Sequence, residues 1–136
     1  MSYPITEIDG IGPDEAAALK RVGIRTTAGL LEAAMSPKGR KHLAGQTGID
    51  VKRLLGWANC ADRMRIKGLG REYAKVLPAV GVDTVRELKY RNPEKLAHSI
   101  AELNKKRKML RFLPTVSLVT RWIDQAKKLP LKITYR

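Results

Sequence analysis

Two short runs hold the residue types that could act on an anion. Ile8-Asp9-Gly10-Ile11-Gly12 returns 58 residues later as Ile66-Lys67-Gly68-Leu69-Gly70. A Gly-apolar-Gly turn that opens a helix directs backbone N–H groups outward, and such groups can hold a phosphate. The first glycine of each pair permits positive φ, and the second lets a phosphate or another backbone come close. Ile11 and Leu69 are expected to point inward and anchor the turns. The copies differ in charge. Asp9, Asp14 and Glu15 surround the first, and a carboxylate in the first helical turn compensates the dipole there and repels phosphate. Gly10, Ile11 and Gly12 therefore read as a structural turn. Lys67 and Arg71 flank the second turn and offset Glu72, so Lys67, Gly68, Leu69, Gly70 and Arg71 are the candidates for a phosphate grip.

Charge supplies the second set of candidates. The chain has 27 Lys and Arg against 13 Asp and Glu, a net charge of +14. The excess concentrates late: residues 105–136 hold 10 basic groups and 1 acidic one. Lys105, Lys106, Arg107 and Lys108 form a block, with Arg111 just beyond. Such a bias attracts polyanions, nucleic acid first and an anionic membrane or acidic protein second. Lys38, Arg40 and Lys41, then Lys52 and Arg53, then Lys127 and Lys128 are further basic groups. Each alone also suits a solvated helix face. Aromatic residues are only 5% of the chain, so stacking on bases is not strongly signalled.

Nothing in the chain assembles a catalyst. His42 and His98 stand alone, and no paired-histidine metal motif, P-loop or nucleophile elbow is present. No catalytic residue, metal ligand or cofactor is assigned. Asp9, Asp14 and Glu15 cluster, but a dipole-compensating helix start accounts for them. Cys60 is the single cysteine, which excludes an internal disulfide and a cysteine-rich zinc site, and its apolar setting reads as a buried thiol. Met1-Ser2-Tyr3-Pro4 lacks a signal-peptide pattern, and no apolar stretch is long enough to span a bilayer. A cytoplasmic protein without a membrane partner is expected.

The elements that must position these groups are helical. Pro13 suits a first helical position, and a helix is expected from there to about Val22, stopped by Gly23. Thr26 can cap a second helix carrying Leu30, Leu31 and Ala34, and Ser36-Pro37 a third near residues 38–44. From Asp50, the residues Val51, Leu54, Leu55, Ala58, Ala61 and Met64 follow helical spacing. The second half replays the order: a helix over 71–80 weakened by Pro78, a cap at Thr84, Asn92-Pro93 in place of Ser36-Pro37, and a last helix with Val116, Val119, Trp122, Ile123 and Ala126 on one face. Between the early and late helices the offset grows from 58 to 65, so the second copy has about seven extra residues around the basic block. Leu131 to Arg136 alternates apolar and polar residues like a short strand, with no other strand to pair with, and is expected to be loose or to pair with a partner.

The run from Gly10 to Thr26 resembles the helix-hairpin-helix motif of DNA repair and replication proteins. The Gly-Ile-x-Thr-x-x-x-Leu segment, Gly23 to Leu30, also resembles the C-terminal domain of the bacterial RNA polymerase alpha subunit. Nearly the whole chain resembles a bacterial and archaeal family catalogued as a domain of unknown function with tandem helix-hairpin-helix units. The segments 61–70, 81–88, 91–94 and 122–127 carry that likeness. The resemblance implies an all-α fold of two duplicated helix-hairpin-helix repeats, residues 1–60 and 61–136, packed as one compact helical domain, the second including the basic insertion and the tail. It also implies contact with DNA phosphates through hairpin N–H groups, in some members with a monovalent cation on hairpin carbonyls. DNA-binding hairpins usually have Lys or Arg two residues after the second glycine, where this chain has Asp14 and Glu72. The leading expectation is non-enzymatic, largely sequence-independent binding of DNA or another nucleic acid through the second turn and the basic segment. The alternative is a protein-interaction module that uses the helical repeats, the tail, or an exposed Trp57 or Trp122.

Overall fold

In the computed structural model the described residues are 2–136; Met1, and with it the start of the Met1–Pro4 run, lies outside them. The fold is all-α. Its helices are α1 (Pro13–Arg21), α2 (Thr27–Ala34), α3 (Pro37–Thr47), α4 (Val51–Arg63), α5 (Gly70–Val76), α6 (Val85–Leu88), α7 (Pro93–Arg107) and α8 (Val116–Lys128). Short 3₁₀ turns lie at Ile5–Glu7 and Pro78–Val80. Among the described residues there is no strand, only an isolated bridge between Pro4 and Thr26. No helix among them is long and apolar enough to cross a membrane.

The chain divides into two compact units. One comprises residues 1–65 together with 132–136, and the other residues 66–131. In the first, α2 packs against α4 and α3, and α1 against α3. Its core holds Leu19, Leu30, Leu31 and Leu54, all buried. In the second, α8 packs against α6 and α7 around the fully buried Trp122.

Local chemistry explains where the helices start. The Thr26 hydroxyl accepts the Gly29 N–H at 3.1 Å, and the Ser36 hydroxyl accepts the Gly39 N–H at 3.0 Å with Pro37 first in the helix. The second unit repeats these devices. Thr84 accepts the Glu87 N–H at 3.0 Å while Glu87 accepts the Thr84 N–H at 3.1 Å, a reciprocal cap. Asn92 accepts the Lys95 N–H at 3.0 Å ahead of Pro93. The extra length of the second half is visible too. Helix α7 has 15 residues against 11 in α3, and residues 108–115 separate α7 from α8 where 48–50 separate α3 from α4.

Three expectations need correction. The helix expected over 71–80 ends at Val76, because Pro78 has no N–H to continue the ladder, and the chain goes on as a 3₁₀ turn. Val116, expected on the buried face of α8, is 45% exposed, while Val119, Trp122, Ile123 and Ala126 are buried. The tail, expected to be loose or to pair with a partner and assigned with the second half, belongs to the first unit. There the Thr134 N–H donates to the Met35 carbonyl at 2.8 Å, and the Lys132 ammonium contacts Glu32 at 2.5 Å.

Arg40 secures that tail and is itself buried. Its Nη1 donates to the Ala34 carbonyl at 2.9 Å and its Nη2 to the Thr134 carbonyl at 2.8 Å. Burial holds this guanidinium below the usual arginine range. Arg40 thus leaves the set of surface cations, whereas Lys38 and Lys41 on the same helix stay exposed.

Candidate nucleic-acid interface

The first glycines of the two Gly-apolar-Gly turns share backbone geometry, but the second do not: Gly12 is extended with φ −83° ahead of α1, whereas Gly70 has φ 61° and opens α5. Gly10 has φ 93° and Gly68 has φ 86°, a region in which a Cβ would be strained. Each turn also has a tryptophan close by. A Cβ at Gly10 would meet Trp57 Nε1 at 3.5 Å, and one at Gly68 would meet Leu118 Cδ1 at 3.3 Å and Trp122 Nε1 at 3.9 Å. Leu69 is buried as expected of an anchor, and Ile11 is half-buried.

Their polar groups are disposed differently. At the first turn the Gly12 N–H donates to Glu15 Oε1 at 2.8 Å. Glu15 also faces Arg53 at 3.6 Å, and the Arg53 guanidinium lies 4.9 Å from the centre of the Trp57 ring. A carboxylate of the chain itself therefore takes the Gly12 N–H above α1, and the Ile11 N–H donates to the Ile8 carbonyl at 3.3 Å.

At the second turn the Lys67 backbone is held by a side chain from α8. Its N–H donates to Gln125 Oε1 at 2.9 Å, and its carbonyl accepts from Gln125 Nε2 at 3.0 Å. The amide thus imitates a neighbouring strand and latches the turn to α8. Lys67, Gly68 and Arg71 are exposed and Gly70 is half-buried. Among the described residues, the Gly68 and Gly70 N–H groups donate no hydrogen bond. Trp122, fully buried, likewise has no hydrogen-bond partner for Nε1 among the described residues.

The basic segment is built by the end of α7. Lys105, Lys106 and Arg107 form its last turn and Lys108 caps it with φ 49°. Cations here also offset the negative end of the helix dipole. Lys105 bonds Glu102 at 3.0 Å, which holds that carboxyl below the usual range, and Lys106, Arg107, Lys108 and Arg111 are exposed. Asn104 then clamps the following loop: its Oδ1 accepts the Leu110 N–H at 2.8 Å and its Nδ2 donates to the Leu110 carbonyl at 3.1 Å.

One residue ties that loop to the second turn. The Tyr73 hydroxyl, on α5, donates to the Phe112 carbonyl at 3.1 Å, while the Tyr73 ring packs 5.0 Å from Trp122 at 50°. Glu72 and Tyr73 of α5 and Leu110, Arg111 and Phe112 of the loop line one cavity of about 430 Å³. The structure therefore brings α5, which the second turn opens, against the Arg111 end of the basic segment. Sequence reasoning did not find Gln125 or Phe112 as parts of this region. Phe112 is the chain's single phenylalanine and stands 73% exposed. Its one local sign is its place in an inserted loop just after a run of cations. Gln125 has no local sign, since its partner lies 58 residues away.

The remaining candidates fall elsewhere. Lys52 and Arg53 are exposed on α4, Lys127 and Lys128 on the last turn of α8, and His42 and His98 at the surface. Trp57 and Trp122, offered as exposed partner contacts, are both buried. Cys60 is a buried thiol, and burial pushes its pKa up. Among the described residues no group of three or more His, Cys, Asp or Glu is placed to hold a metal ion.

A family model described as a domain of unknown function (DUF4332) matches residues 9–129. The chain belongs to this family. The DUF4332 match spans both Gly-apolar-Gly turns, the basic end of α7 and all of α8, Gln125 included. No solved structure was found to match the chain.

Proposed function

We propose that this chain is a tandem helix-hairpin-helix protein that binds nucleic acid without enzymatic action. It grips the phosphate backbone with little sequence preference, using the second turn (Lys67 to Arg71) together with Lys105, Lys106, Arg107, Lys108 and Arg111. The observation that supports this most is the contrast between the turns. Glu15 takes the Gly12 N–H above α1, while Gly68 and Gly70 keep theirs unused among the described residues beside exposed Lys67 and Arg71. Charge distribution points the same way, since residues 66–131 contain 15 basic and 6 acidic groups. Glu72 does not fit a phosphate site and needs a separate role.

Fluorescence anisotropy with labelled duplex and single-stranded oligonucleotides across salt concentrations tests the reading. Six phosphate contacts on a duplex give a log–log salt slope of roughly −5. Replacing Lys106 and Arg107 with Gln should flatten that slope by about two contacts. Absence of binding to either form at low salt refutes the proposal.

A further inference from the structure

We infer that the cavity between α5 and the 108–115 loop receives an unpaired nucleobase, so that the favoured ligand is a single strand bearing amino-substituted bases, cytosine first. This rests on the nucleic-acid reading above and gives that site its ligand class. The cavity, of about 430 Å³, is open at the surface and has three kinds of wall. Phe112, 73% exposed, offers an aromatic face. Arg111 offers a cation, and Glu72 a carboxylate. A solvent-facing phenylalanine beside a run of cations has the components of a stacking platform on a phosphate track: the ring takes the base while Arg111 and Lys106 to Lys108 follow the backbone.

The platform is held in place. Tyr73 donates to the Phe112 carbonyl at 3.1 Å, and Asn104 clamps Leu110 from both sides, so the loop backbone is fixed at two points around the ring. Glu72 then acquires a function that its charge denies it at a phosphate. A carboxylate is acceptor-only and pairs with an exocyclic amino group such as cytosine N4. Thymine and uracil present a carbonyl at that position and are repelled. A base inside a duplex is stacked and paired on that edge, so only an unpaired base can enter.

The test measures anisotropy of labelled dC12, dT12 and a 12-base-pair duplex at pH 7.5 and low salt, with the full chain. The native protein should bind dC12 roughly three- to ten-fold more tightly than dT12. Phe112→Ala should weaken dC12 binding roughly ten-fold, Phe112→Tyr should preserve it, and duplex binding should stay within about two-fold in both. Glu72→Gln should remove the preference for dC12, because an amide can donate to the thymine carbonyl as well as accept. Melting curves report whether each variant is folded. Equal binding of dC12 and dT12 by the native protein, or dC12 binding indifferent to Phe112→Ala in a folded variant, overturns this inference and leaves the backbone-binding proposal standing if the duplex still binds. Failure of all three ligands to bind removes both.

Discussion

Replacing Arg40 with methionine removes a buried cation that holds two carbonyls far apart in sequence. Met has similar length and keeps the apolar stem packed, so the change isolates the guanidinium. The Ala34 carbonyl lies in the interior and is left without its 2.9 Å donor, while the Thr134 carbonyl sits in an exposed residue where water can replace the 2.8 Å bond. An orphaned buried acceptor costs about 1–3 kcal/mol and a replaceable charged bond about 1 kcal/mol, from which the relief of guanidinium desolvation subtracts. The net loss expected in the first unit is about 2 kcal/mol. Removing residues 132–136 deletes one of the same two bonds together with the Thr134–Met35 bond and the exposed Lys132–Glu32 pair. The two changes share the Arg40–Thr134 contact, so their combined effect should fall short of the sum by about 1 kcal/mol. Native-state hydrogen exchange, followed by mass spectrometry on peptides covering residues 26–47, reports opening of this unit specifically. Strict additivity of the two losses, or a loss below about 0.5 kcal/mol for Arg40→Met, would refute the role given to this arginine.

Three further outcomes are expected. Gln125→Glu keeps the acceptor for the Lys67 N–H but turns a carboxylate oxygen toward the Lys67 carbonyl, so it should destabilise the second unit by about 1–2 kcal/mol and loosen the turn amides in hydrogen exchange; exchange at residues 66–70 unchanged from the native chain would remove the latch. Cys60 is buried and its pKa is raised by burial first of all, so a thiol reagent should modify it only in denaturant, and rapid labelling of the native protein would contradict its placement. Burial also raises the carboxyl pKa of Asp62 despite the 2.5 Å pair with Arg65. Its charge therefore costs stability at neutral pH, and the cost fades as pH falls through the raised value. Asp62→Asn should gain on the native protein as pH rises from about 4 to 7; a difference in stability that is flat or runs the other way would count against it.

What the sequence disclosed was what short-range chemistry decides. The caps at Thr26, Ser36, Thr84 and Asn92, the proline positions, and the positive φ of Gly10 and Gly68 all follow from neighbours within four residues. The charge contrast between the two turns was equally readable, because Glu15 stands three residues from the N–H it fills. Arg40 was misread because a cation's burial depends on acceptors brought from elsewhere, here a carbonyl 94 positions away. Gln125 and Phe112 were missed for related reasons. An amide on an amphipathic helix and a lone aromatic in a loop have no periodic signature, and their roles appear only when α8 and the inserted loop are set beside the second turn. The tail's alternation resembles a strand, yet three hydrogen bonds and an ion pair hold it without one.

The first unit is interrupted in sequence, with its closing segment at 132–136, whereas the second is continuous from 66 to 131. A ribosome delivers these pieces in a fixed order. The second unit has all of its residues in hand before the first receives its last five, although the first began to emerge earlier. Until then the Arg40 guanidinium has the Ala34 carbonyl but lacks the Thr134 carbonyl. Residues 1–65 thus lack part of their contact set until translation has passed through the basic segment and α8. Loss of residues 132–136 would leave the second unit with all of its residues and the first without the Thr134 groups that meet Arg40 and Met35.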